Sequence, residues 1–168
     1  MQVPQRRIRG ERATATKEPD QVMSVKKLVG DWKLNIRITM PDGSILNGSG
    51  KAQGRLIAMG QGVHIILKAT VPGLGDIEDH DLVGFNASGD QKIHFFSLIS
   101  TGTTHDHVGA WRDDKTMEVR WEGIEDGKEV IETDVFTWIS PGELHIRQEE
   151  TVEGQTGLTG EYVLKKLH

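Results

Sequence analysis

Seven histidines and no cysteine in 168 residues set the side-chain chemistry open to this chain. Three of the seven fall between Gln91 and Gly123, in QKIHFFSLISTGTTHDHVGAWRDDKTMEVRWEG. His105 and His107 are two apart, and residues i and i+2 of a strand point the same way, about 6.6 Å from each other. Two imidazoles so placed can grip one metal ion or hydrogen-bond one ligand group. Thr101-Gly102 sits where a two-residue hairpin turn belongs, since Gly tolerates positive φ. Pairing outward from it sets Leu98 against His105, Phe96 against His107 and His94 against Gly109. His94, His105 and His107 then share a face. Three imidazoles and a water would make an open zinc-type or ferrous site. Buried polar groups more often hydrogen-bond to a ligand, to water or to each other. The first expectation is therefore a polar cluster that orients a ligand, with zinc or iron as the alternative occupant.

Which way that face points depends on the next hairpin. Met117, Val119 and Trp121 alternate with Thr116, Glu118, Arg120 and Glu122, so the Met117 face is the inner one. A two-residue turn at Asp113-Asp114 would set Ala110 against Met117 and send His105, His107 and Trp111 outward. A three-residue loop would set Trp111 against Met117, Gly109 against Val119 and His107 against Trp121, so that the histidines line the interior. Burying Trp111 rather than Ala110 favours the second register. Against it, two imidazoles are buried and Val108 is left outside. Both registers stay open here, the inward one preferred.

Other candidates carry less pattern. His64 shares a strand face with Lys68 and Thr70 and is expected outside. His80 lies in Glu78-Asp79-His80-Asp81, four polar residues that read as a barrel rim. Glu132, Asp134, Glu149 and Glu150 read as solvated strand residues. Ser100, Thr103 and Thr104 lie near His105 without the third group that would orient a triad. The chain has no G-x-S-x-G, P-loop, G-x-G-x-x-G or H-E-x-x-H motif. A binding protein is thus expected before an enzyme; the alternative is a metal- or histidine-dependent enzyme of the same shape, performing proton transfer or hydrolysis.

The elements that must hold these residues are strands. Twenty glycines, few aromatics and 36% hydrophobic residues suit a turn-rich sheet. Trp32, Leu34, Ile36, Ile38 and Met40 alternate with Lys33, Asn35, Arg37 and Thr39, and Pro41-Asp42-Gly43 follows as a turn. Further strands are expected near 44–50, 52–59, 62–71, 77–86, 91–100, 103–112, 116–123, 128–139, 143–152 and 157–167. Turn residues separate them, as in Pro72-Gly73-Leu74-Gly75 and Ser140-Pro141-Gly142. The pattern predicts an all-β fold: a closed up-and-down antiparallel β-barrel of about 10–11 strands, since closure removes exposed edges. A short helix capped by Asp20 is expected through Leu28 and ended by Gly30.

Residues 1–19 read as a flexible basic arm, with Arg6, Arg7, Arg9 and Arg12, ahead of a barrel domain over 20–168. The net charge is −5 despite that arm, so the barrel is a poor surface for nucleic acid. A partner protein contacting the arm is a further reading. No run of about 18 apolar residues offers a membrane span. Without cysteine or an apolar stretch after Arg6-Arg7, a cytoplasmic location is expected. No pattern sets an oligomeric state.

Leu28-Val29-Gly30-Asp31-Trp32 resembles the G-x-W opening of lipocalin-like, calycin-type barrels. Leu82-Val83-Gly84-Phe85-Asn86, Gly109-Ala110-Trp111-Arg112-Asp113 and the closing Glu161 to Lys166 are similar to a bacterial lipocalin-like family of unknown function. The resemblance covers residues 24 to 167. It implies that Trp32 packs across a closed barrel end under a basic residue, for which Arg147, Lys165 and Lys166 are candidates. It also implies a small hydrophobic or amphipathic ligand in the cavity. The expected ligand contacts are His94, His105, His107, Trp111, Trp121, Phe95, Ile36 and Val119, and the three histidines are also the candidate metal ligands.

Overall fold

The computed structural model describes residues 24–167, so the expected arm and residues 20–23 of the expected helix lie outside it. Ten strands follow in chain order among these residues: β1 (Gly30–Thr39), β2 (Ile45–Ile57), β3 (Gly62–Val71), β4 (Gly75–Phe85), β5 (Ile93–Ile99), β6 (Thr104–Trp111), β7 (Thr116–Glu125), β8 (Lys128–Ser140), β9 (Glu143–Val152) and β10 (Gln155–Lys166). Each pairs antiparallel with its chain neighbours, and β1 with β10, closing the barrel.

Alternation decides which side chains go inside. On β1, Trp32, Leu34, Ile36 and Ile38 are buried while Lys33, Asn35 and Arg37 are exposed. Period-two burial of this kind is the sheet's way of separating an apolar core from water, at about 1.5–3 kcal/mol per large side chain removed from solvent.

The two strands expected over 44–50 and 52–59 are one, β2. Gly48, Gly50 and Gly54 suggest a break in sequence, but they mark a close backbone approach. A Cβ on Gly50 would stand 2.1 Å from the carbonyl oxygen of Lys68 on β3. Glycine here lets the two backbones come close without interrupting the ladder.

Of the expected helix, the described residues show helical Ser24 and Val25 running into a 3-10 turn at Lys26–Leu28. It covers one end of the barrel. The Trp32 indole N–H donates to the Leu28 carbonyl at 3.2 Å, and the Lys166 ammonium lies 5.2 Å from the Trp32 ring centre. Lys166 thus takes the place for which Arg147 and Lys165 were also candidates; those two pair with Glu149 and Glu143. Lys27 sits over the rings of Trp111 and Trp138 at the same end.

Candidate functional site: a polar end to the barrel cavity

Two hairpins fix the direction of the histidines. Between β5 and β6 the connection is one residue longer than Thr101-Gly102: the Ser100 N–H leaves the ladder to donate to the Glu78 carbonyl, and Gly102 takes a φ of 93°. The resulting partners are Ser97 with His105, Phe95 with His107, and His94 with Val108. A one-residue slip moves a strand's whole inward set to the other face. His94 therefore does not join the other two. It lies on the outer surface, 3.1 Å from Asp90 and 3.7 Å from Asp106. Both the three-histidine ligand contact and the three-histidine metal set are corrected on this point.

The β6–β7 connection adopts the three-residue register, with Trp111 opposite Met117 and Gly109 opposite Val119. The Asp113 carboxylate holds that loop by accepting the backbone N–H groups of Lys115 and Thr116. His105 and His107 consequently point inward and are 5% and 2% exposed.

They meet carboxylates that charge alone had assigned to solvent. Glu132 shares the inner face of β8 with Val130, Phe136 and Trp138; Asp79 and Asp81 share the inner face of β4 with Ile77 and Val83. His80 is accordingly not on a rim. It occupies the middle of β4, facing out between two inward aspartates, 3.2 Å from His64 and 2.8 Å from Glu78. The signal for the buried acids was parity with their apolar neighbours, which outranks the ordinary exposure of charged residues.

The inner geometry is specific. His107 donates through Nδ1 to the Phe95 carbonyl at 3.3 Å, which turns Nε2 toward the Glu132 carboxylate 2.8 Å away. His105 Nε2 meets Glu125 at 2.7 Å, and its Nδ1, buried without a hydrogen-bond partner, faces Glu132 Oε2 at 3.8 Å. Trp121 stacks on His105 with ring centres 3.8 Å apart. Asp134 lies 3.5 Å from His107 Nε2. Ser97 donates to Asp81 at 2.6 Å and Tyr162 to Gln148 at 2.6 Å, so neither hydroxyl donates to an imidazole.

Burial and mutual repulsion divide the acids. Burial alone would raise the Glu132 carboxyl, but the facing imidazoles His105 and His107 hold it down at about 2. Burial pushes Asp79 up to about 6. It also raises Asp81, with the adjacent Asp79 adding to the effect, and Asp134, with Glu132 adding. Burial disfavours the charged His105, yet Glu132 and Glu125 outweigh it and raise that imidazole.

These groups line one part of a cavity of about 230 Å³. The rest of its wall is mostly apolar, including Leu34, Ile36, Ile38, Ile65, Phe95 and Phe136, with Ser97, Gln148 and Tyr162 as its other polar members. Four carboxyl groups and two imidazoles face it, and no Lys or Arg does among the described residues. Three expected contacts lie inside the barrel but off this wall: Val119 is fully packed, Trp111 is drawn to Trp138 and Lys27, and Trp121 backs His105. A larger groove of about 960 Å³ runs outside along β2 and β3, where no titratable side chain is buried.

No protein-family model matches the chain, and no curated protein matches its sequence. Among solved structures the chain is similar to the S-type phycobiliprotein lyase CPES from Guillardia theta, with 8% identity over 86% of this chain and 90% of that one, at a TM-score of 0.63. It is also similar to the redesigned β-barrel mFAP0 bound to DFHBI, with 15% identity over 83% of this chain and 99% of that one, at a TM-score of 0.48. The likeness to the lyase is one of fold.

Proposed function

We propose that this lipocalin-like barrel is a carrier for one small amphipathic molecule. The observation that supports this reading most is the division of the cavity into a mostly apolar wall and an acidic, histidine-bearing end without a Lys or Arg among the described residues. At about 30 Å³ of liquid per water, the space holds roughly eight waters, or a ligand of about a dozen non-hydrogen atoms. That is below the usual range for drug-sized sites, so long acyl chains do not fit. The apolar body would lie against Leu34, Ile36, Phe95 and Phe136. Its polar end would offer hydrogen-bond donors, an amine, amide or hydroxyl, to Asp79 and Asp81, because carboxyl groups crowded together favour a donor and repel an anion. A cytoplasmic setting is part of the proposal, on the lack of cysteine.

Calorimetry in a chelating buffer tests it, using benzylamine, benzyl alcohol and benzoate as matched probes. The amine and alcohol should bind at one per chain and benzoate at least about 10-fold more weakly, equivalent to about 1.4 kcal/mol. Equal binding of all three, or of none, would overturn the reading.

A further inference from the structure

We infer that His105, His107 and Glu132 hold one divalent transition-metal ion at the polar end of the cavity. Each residue offers one donor atom, and the three donors lie within 4.8 Å of one another, all in buried side chains. Ligands of a tetrahedral ion at about 2.1 Å stand about 3.4 Å apart, so small side-chain rotations complete the set.

The hydrogen bonds behind the imidazoles support the same assignment. A metal-binding histidine donates its far N–H to a carbonyl or carboxylate, which fixes the tautomer and aims the other nitrogen's lone pair at the ion. His107 does this through the Phe95 carbonyl, and His105 through the Glu125 carboxylate. Both near nitrogens then face Glu132. His105 Nδ1 has no hydrogen-bond partner although its side chain is only 6% exposed. An unpaired buried lone pair aimed at a carboxylate oxygen 3.8 Å away leaves a gap that a cation would bridge.

Charge agrees with the geometry. The cavity wall carries four carboxyl groups and no Lys or Arg, so a doubly charged ion supplies what the side chains lack. Two imidazoles and a carboxylate suit zinc or ferrous ions, and leave a position open toward the apolar wall. The outer pair His64 and His80 is the internal control. His80 Nδ1 is already bonded to His64, and its Nε2 to Glu78, in a half-exposed setting.

This inference rests on reading the cavity as the binding site, and its experiment separates the two. Full-length protein is stripped with chelator, dialysed, and titrated with zinc chloride alone, followed by calorimetry and elemental analysis. One ion per chain is expected, with cobalt chloride giving the absorption band of a low-coordinate site. In wild-type protein, nitrogen-15 spectra of the imidazoles should show His105 Nδ1 and His107 Nε2 shifting on zinc addition while His64 and His80 stay fixed. H107N and E132Q should each weaken zinc binding by at least about 10-fold to 100-fold, and H94A should leave it unchanged. Should either variant fail to fold, the wild-type spectra decide alone. Zinc that moves the His64 and His80 signals instead, or binds E132Q as tightly as wild type, overturns the site. Zinc binding without benzylamine binding would sustain the metal and overturn only the carrier reading.

Discussion

The barrel holds two imidazole pairs that differ mainly in which side of the sheet they occupy. His64 and His80 face outward from neighbouring strands, in contact with each other and with Glu78, which Lys68 also pairs. His105 and His107 face inward from one strand, against Glu132, Glu125 and Asp134. Outside, water screens the charges and solvates any unused nitrogen, so the pair is an ordinary surface network. Inside, every nitrogen and oxygen must find a partner in the protein or in what the protein binds, because the cost of leaving one bare is high. The same residue types become a candidate site only where solvent cannot substitute for a ligand.

The sharpest way to break this contrast is to delete the buried carboxylate. Glu132→Ala should cost about 3–5 kcal/mol in urea denaturation under chelating conditions, since two imidazoles lose their counter-charge. Glu78→Ala outside should leave the midpoint where it was. A next, opposite effect is expected at Asp79. Its folded carboxyl titrates at about 6 against an ordinary 3.8, so between those values the folded state holds more protons than the unfolded one. Stability from this group is therefore present at low pH and lost as pH rises from about 4 to 6. Asp79→Asn should flatten that decline and stabilise the metal-free protein at pH 7 by about 1–3 kcal/mol, read from melts across pH. Glu132 acts in the other direction: held at about 2 against 4.5, it contributes stability above 4.5 that disappears as pH falls through that interval.

A smaller loss is expected for Glu125→Gln, which weakens the bond that orients His105. About 1 kcal/mol of stability should go, with a change in Trp121 fluorescence because that ring stacks on His105. The least effect belongs to the outer pair. His80→Ala should stay within about 0.5 kcal/mol of wild type and leave benzylamine binding intact; a larger loss would erase the distinction between the two sides.

Much of the fold was legible because alternation and turn residues repeat from Trp32 onward. The ten strands fall within the expected 10–11, and only the split of β2 into two was misread, since Gly48 and Gly50 resemble punctuation although a neighbouring backbone needs their bareness. The site was legible in part. His105, His107, Phe95 and Ile36 line the cavity, and the burial of Trp111 had pointed to the register that turns the histidines in. His94 was misplaced because one extra loop residue, Ser100, is invisible to a turn rule that fits Thr101-Gly102 equally well. Asp79, Asp81, Glu132 and Asp134 were missed for a different reason. A charged residue defaults to solvent, and only the company it keeps at positions two away shows that a strand has carried it inside.

The lack of room for a side chain at Gly50 also bears on how the cylinder closes without error. Sliding β2 by two residues along β3 would keep every side chain on its proper side, so hydrophobic sorting could not reject it. In one direction the slide would bring Ala52 into the place of Gly50, where a methyl group collides with the Lys68 carbonyl; in the other it would bring Ala52 into the place of Gly54, where it collides with the Leu28 carbonyl. The two bare positions thus work as a key: either two-residue misalignment is refused by steric contact.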